Sequence, residues 1–178
     1  MVLPLHTERL TLSVLTAADR AAFVRYRRDP DVARWQSWST TYSDADADAL
    51  LADQPAGIEA GSGRWVQIAI HDAGGDLQGD IAVRALDDQP DTYEIGVTLA
   101  PAAHGRGIAS EALTAIIDAL FRELGAHRVF AVSDARNEPV ARLLRRVGFR
   151  HEGRNIDADR FKGEWTSLDT WAMLRRDR

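Results

Sequence analysis

Tyr93-Glu94-Ile95-Gly96-Val97-Thr98-Leu99-Ala100-Pro101-Ala102-Ala103-His104-Gly105-Arg106-Gly107-Ile108-Ala109-Ser110-Glu111-Ala112 reads as a strand, a glycine-bearing loop and the opening of a helix. Apolar spacing carries that helix from Ile108 to Leu124, where Gly125 supplies a C-terminal cap. The first N–H groups of a helix have no partner inside it, and its dipole leaves that end positive. Glycines at 105 and 107 let an anion approach the backbone closely. The stretch is therefore an anion cradle suited to phosphate.

Strands surround it. Upstream, Leu10, Leu12 and Val14 alternate with polar residues as a strand does, and Trp65, Ile68 and Ile70 mark a second. Leu77 to Ala85 is a third, with Gly79 at a bulge, and Tyr93 to Leu99 the fourth. Thr16-Ala17-Ala18-Asp19 and Ser43-Asp44-Ala45-Asp46 are capping-box starts for two helices, the first ending near Asp29 ahead of Pro30. Downstream come a strand over Arg128 to Val132, a short helix over Pro139 to Val147, and strands over Phe149 to Asn155 and Thr166 to Leu174. A meander of strands followed by strand–helix–strand is an α/β (α+β) arrangement, a mixed sheet with helices on it.

Composition bounds the rest. The chain has 178 residues, 22 Lys plus Arg against 27 Asp plus Glu, a net charge of −5 and no cysteine. Its length suits one domain over residues 1–178. The acidic balance argues against direct nucleic-acid binding, while leaving room for a local basic pocket. No cysteine means no disulfide, no thiolate metal site and no Cys nucleophile. No apolar run approaches the roughly 20 residues of a membrane helix, and no signal peptide opens the chain, so a cytoplasmic protein is expected.

Several motifs are excluded. There is no Lys after Gly107 for a nucleotide P-loop, and Gly105-Arg106-Gly107-Ile108-Ala109-Ser110 lacks the third glycine of a dinucleotide fingerprint. Asp44-x-Asp46-x-Asp48 begins like a calcium loop, but Ala49 and Pro55 stand where Gly and Glu are required. The five histidines show no metal-ligand spacing, and Ser110 sits in no nucleophile elbow. No metal is expected.

The text after the fifth strand, Asn137-Glu138-Pro139-Val140-Ala141-Arg142-Leu143-Leu144-Arg145-Arg146-Val147-Gly148-Phe149, completes an ordered set with the glycine loop. Together these resemble the GNAT superfamily of acetyl-CoA-dependent N-acetyltransferases. His104 to Ala109 is similar to that family's pyrophosphate loop, with His104 where Gln or Arg is usual. Thr7-Glu8-Arg9-Leu10-Thr11-Leu12 and Trp165 to Leu174 are similar to the branch that acetylates N-termini of ribosomal proteins. The resemblance covers nearly the whole chain. It implies a mixed, mostly antiparallel sheet of about seven strands with helices on both faces.

It also implies acetyl-CoA as cosubstrate and a primary amine as acceptor, either a protein N-terminal α-amine or a small molecule such as an antibiotic or polyamine. Without cysteine, acetyl passes directly from thioester to amine. Cofactor contacts are implied for Val97, Leu99, His104, Gly105, Arg106, Gly107, Ile108, Ala109, Ser110 and Asn137, with a Val97 N–H for the oxyanion. Asn137 has a second reading as a helix N-cap. Arg142, Arg145 and Arg146 either reach the cofactor's 3′-phosphate or form a solvated helix face. Glu94 is the candidate general base, or else a solvated strand carboxylate. Trp35, Trp38 and Tyr42 are candidates for an acceptor wall, with core packing as the rival reading for a Trp. Leu144 stands where many members carry a Tyr general acid. That departure keeps a second function in view, a non-catalytic CoA-binding or regulatory domain; a nucleotide-binding domain is a remoter third. A homodimer is left open.

Overall fold

A computed structural model describes residue 1 and residues 3–178. One sheet of eight strands runs through it: β1 (Leu5–His6), β2 (Leu10–Val14), β3 (Val66–Asp72), β4 (Leu77–Ala85), β5 (Thr92–Leu99), β6 (Arg128–Asp134), β7 (Arg150–Phe161) and β8 (Glu164–Leu174). The spatial order is β1-β2-β3-β4-β5-β6-β8-β7. Among the described residues only β5 and β6 pair parallel. Among the described residues five α-helices cover the sheet: α1 (Arg20–Arg27), α2 (Pro30–Ala33), α3 (Asp44–Asp53), α4 (Ile108–Glu123) and α5 (Glu138–Val147).

The alternation along strands assigns the helices to two faces. Ile68 and Ile70 of β3, Ile81 and Val83 of β4, and Tyr93 and Ile95 of β5 pack with Ile116, Ile117 and Leu120 of α4. Ala69, between the two isoleucines, turns to the opposite face and packs with Phe23 and Tyr26 of α1 and Ala47 of α3. Each large apolar side chain so buried contributes about 1.5–3 kcal/mol. The expected mixed, mostly antiparallel sheet with helices on both faces is what forms, with one more strand.

The extra strand is β1. Two residues are too few to show a period. Two further boundaries move. Pro30 opens the short α2, with the Asp29 side chain accepting from the N–H of Asp31 and Val32, because proline fits a helix's first turn. The final strands are longer than the alternation suggested, because β7 is exposed over nearly its whole length and has no apolar face to read. Its turn is Lys162-Gly163, both with positive φ, as a tight two-residue hairpin requires. The Lys162 ammonium donates to the carbonyls of Ala33 (2.6 Å) and Trp38 (2.9 Å), strapping the hairpin tip to the segment after α2.

Two irregularities shape the site. Gly79 faces Leu99 at a bulge between β3 and β4, where an added Cβ would lie 2.2 Å from the Thr98 carbonyl. No side chain fits there, so β4 and β5 close tightly beside the glycine loop. The second is the loss of pairing between β5 and β6. They pair only over Thr92–Glu94 and Arg128–Phe130, and then separate. From Ile95 onward, the edge of β5 that faces β6 has no strand partner among the described residues, so its backbone groups can bind a ligand. No helix is long and apolar enough to cross a membrane, among the described residues.

Candidate active site

The glycine loop forms as the cradle its sequence suggests. Gly105 (φ 72°) and Gly107 (φ 78°) adopt left-handed conformations, and Gly107 caps α4. A Cβ on Gly105 would meet nothing within 4 Å, so the loop's outer surface is open to a ligand. Leu99, His104, Gly105, Gly107, Ile108, Ala109 and Ser110 line one cavity with Val97, Asn137 and Arg146. Arg106 is turned away and donates from its guanidinium to Gln78 Oε1 at 3.3 Å. Arg142 pairs with Glu138, and Arg145 lies over the Trp171 ring, so only Arg146 of the three α5 arginines reaches the cavity.

Behind the loop stands a clamp. Arg9 donates to the Arg106 carbonyl at 3.0 Å and to Glu111 Oε2 at 2.7 Å, while Thr7 donates its hydroxyl to Glu111 Oε1. Burial raises the Glu111 carboxyl, but the hydrogen bonds from Thr7 and Arg9 outweigh it and leave the group below the usual carboxylate range. The clamp fixes the peptide before Gly107 and neutralises a carboxylate that would otherwise repel a phosphate. Arg9→Ala is expected to weaken CoA binding about tenfold in a calorimetric titration, with Arg9→Lys recovering part of the loss.

Asn137 takes the N-cap position of α5. Its Oδ1 accepts from the Val140 N–H at 3.3 Å as the N-cap of α5, and the residue also lines the cavity. Leu144 is buried and faces the gap between β5 and β6, as do Trp35 and Asn137.

A second cavity, about 630 Å³, lies on the α1/α3 side of the sheet. Its floor is a row across three strands, Gln67–Ala82–Gly96, beside the row Ala69–Asp80–Thr98. Ala82 and Gly96 leave space where larger residues would fill it; a Cβ on Gly96 would meet nothing within 4 Å. Trp38 and Trp65 stand in its walls. Arg27 lies beneath them with its guanidinium carbon 3.9 Å from the Phe23 ring centre and 3.7 Å from that of Trp38. Buried Asp80 accepts from Tyr26 and, at 3.5 Å, from Arg27. Burial raises the Asp80 carboxyl, against the opposing pull of Arg27 and Tyr26, and burial followed by Asp80 raises the Tyr26 phenol.

The loop cavity, the second cavity and the gap between the strands meet at two residues common to all three, Gln36 and Val97. Gln36 Nε2 donates to the Thr98 hydroxyl at 3.2 Å. Trp38 lines the second cavity and Trp35 the other two. Tyr42 lines none of them. It is 8% exposed, packed edge-on against Phe23 in the core, which corrects its reading as an acceptor wall. Glu94 shares the Gly96 face of β5 but lies one row outward, where its Oε2 accepts from Arg84 at 2.6 and 2.9 Å. It lines none of the three cavities.

Arg27, Gln36, Gln67 and Asp80 were not singled out by sequence. Asp80 carried a weak signal, a carboxylate directly before the apolar run Ile81-Ala82-Val83; the others carried none. No group of three or more His, Asp or Glu side chains that could hold a metal occurs among the described residues.

A family model for the acetyltransferase (GNAT) domain matches residues 9–150. The chain belongs to the GNAT acetyltransferases. Such a domain moves acetyl from acetyl-CoA to an amine, and the cradle above fits the phosphates of that cosubstrate. An uncharacterised N-acetyltransferase, p20 of Bacillus licheniformis, is 27% identical over 97% of both chains. Among solved structures, the ribosomal-protein-S5-alanine acetyltransferase of Vibrio fischeri superposes with a TM-score of 0.79 at 18% identity, covering 97% of each chain. Spermidine N-acetyltransferase of Vibrio cholerae, in complex with CoA and spermine, superposes with a TM-score of 0.80 at 16% identity, covering 96% of this chain and 98% of its own. One fold at nearly equal likeness thus spans a protein and a polyamine acceptor, so the acceptor must be argued from the cavity.

Proposed function

We propose that this GNAT domain, residues 1–178, is an active N-acetyltransferase that passes acetyl directly from acetyl-CoA to a primary α-amine. One observation carries the reading. The cofactor-side and acceptor-side cavities are separate, and they touch at Gln36, Val97 and Thr98. A thioester delivered along the free edge of β5 would present its carbonyl where an amine enters from the opposite side.

Bound acetyl-CoA supplies an activated acyl group. The chain's own residues do the rest. Amides at Gly107 to Ser110 and the Arg146 side chain hold the phosphates, and the Asn137 amide nitrogen is available to the cofactor arm. The Val97 N–H meets the oxyanion, a preorganised donor of the kind that usually contributes most to catalysis. The amine forms the C–N bond, the C–S bond breaks, and CoA leaves as thiolate. A thiol of pKa ~8.5 leaves near neutral pH without a strong acid, which makes Leu144 compatible with turnover. The α-amine must shed one proton, from a pKa of ~8 at a peptide N-terminus and from a higher one in a free amino acid, whose carboxylate stabilises the ammonium. Glu94 takes it through a water: its Cα is two residues from Gly96, about 6.8 Å along the strand, too far for direct contact with an amine over that glycine.

Acetyl-CoA turnover measured against amino acids, N-terminal peptides and polyamines tests the activity, and CoA binding with no turnover on any amine would make this a binding domain instead. With an N-terminal peptide as acceptor, Glu94→Gln is expected to lower kcat about 10- to 100-fold at pH 7 and far less at pH 9, where the peptide's α-amine is free without help. A pH–rate profile unchanged by the substitution would remove Glu94 from this role. The likeness of Thr7 to Leu12 and Trp165 to Leu174 to the ribosomal branch supports an α-amine acceptor, which a peptide N-terminus and a free amino acid both offer.

A further inference from the structure

The acceptor-side cavity holds a cation whose bonding is incomplete. Arg27 is 4% exposed, so water does little to solvate it. Its guanidinium faces are covered by Phe23 and Trp38. Among the described residues its guanidinium donates to Asp80 at the long distance of 3.5 Å, with the Tyr26 and Tyr42 hydroxyls beside it. Nε has no partner among the described residues. Across the floor, Gln67 is 9% exposed and its Oε1 also has no partner. Unmet donors and acceptors this deep are costly in a structural core, and two of them line one cavity.

The one carboxylate inside the cavity is already engaged: Asp80 accepts from Tyr26 and Arg27. Asp53 stands at the mouth with its side chain in solvent, 3.8 Å from Arg64. The interior holds no unengaged carboxylate for the second and third ammonium groups of a polyamine. The unmet chemistry is that of a buried cation and an amide oxygen. It fits a ligand that presents an anion to Arg27 and an N–H to Gln67. Arg27 contacts Asp80, and Asp80 is the cross-strand neighbour of Thr98, where the two cavities join. The anion must therefore lie close to the reacting nitrogen.

We infer that the acceptor is a free α-amino acid, its carboxylate docked on Arg27 and its amine directed over Gly96 towards Val97. This rests on the transfer reaction proposed above and narrows its α-amine to one with an ionised carboxylate beside it. Trp38 and Trp65 then border the side chain.

The test is initial-rate acetylation by the full chain with acetyl-CoA, comparing the L-amino acids, their carboxamides, an alanine-initiated peptide and spermidine. At least one free amino acid should be the best acceptor, and its carboxamide should lose about 10- to 100-fold in kcat/KM, the span of a charged hydrogen bond. Arg27→Gln should raise KM for the amino acid by a similar factor, leave KM for acetyl-CoA unchanged, and cost the carboxamide almost nothing more, since both changes remove one contact. If Arg27→Gln does not fold, Gln67→Ala with the same acid–amide pair still decides, because the preference for the acid belongs to the native protein as well. Equal or better turnover of carboxamide, peptide or spermidine overturns the amino-acid assignment and leaves N-acetyltransfer standing. CoA binding without turnover on any amine overturns both.

Discussion

Gly107→Val is expected to abolish useful acetyl-CoA binding while leaving the fold nearly intact. Gly107 caps α4 at φ 78°, a conformation that costs a residue with a Cβ about 1–2 kcal/mol, and more for a β-branched one. The loop relieves that strain by rotating the peptides that flank residue 107. Those peptides carry the N–H groups that face a phosphate, and each charge-assisted bond lost is worth about 1.5–3 kcal/mol. Losing two predicts a rise in the CoA dissociation constant of more than about 100-fold. The fold should tolerate the change, because a Cβ at 107 approaches only the end of the flexible Arg9 side chain, at 3.4 Å. Calorimetric titration with CoA and a thermal melt check the two halves. Gly57→Ala is the control, since that residue has nothing within 4 Å of an added Cβ. Undiminished CoA affinity in Gly107→Val would remove the loop from the cofactor site.

That loop was legible because all its determinants are local. Glycine spacing, a preceding strand and an amphipathic helix lie in one continuous run from Thr92 to Glu123, and backbone conformation follows from them. Asn137 was legible as a cap, which it is, and it also borders the cavity. Tyr42 was not, because an aromatic residue in a loop points equally well into a core or a groove, and only its contact with Phe23 decides. The acceptor-side cavity was hidden for a deeper reason. Its floor joins Gln67, Ala82 and Gly96 through the cross-strand register of β3, β4 and β5. Periodicity says which face a residue takes; it does not say which residues share a row. Glu94 shows the limit. Its face is right, while its distance from the junction and its bond to Arg84 are products of tertiary pairing.

Asp80→Ala is expected to destabilise the protein strongly, by about 3–5 kcal/mol, because it leaves Arg27 buried without its partner. For a chain of this length that lowers Tm by roughly 6–20 °C. The pH dependence should carry a second signature. Burial raises the Asp80 carboxyl above its unfolded value, so its ionisation works against the fold: the stability it contributes is complete below the unfolded carboxylate range and declines as pH rises towards the folded value. Asp80→Ala should lack that declining segment. The double variant Arg27→Met, Asp80→Leu removes both charges and fills similar volume, so most of the lost stability should return, as it does when buried ion pairs are replaced by apolar packing. Stability recovered by the double variant would mean the pair is not kept for folding. A protein that melts normally, binds CoA normally and has lost its amino-acid acceptor would place the value of Arg27 in the cavity it lines. If the double variant melts as low as Asp80→Ala, the cluster is structural, and the incomplete bonding of Arg27 is a cost the core bears for packing alone.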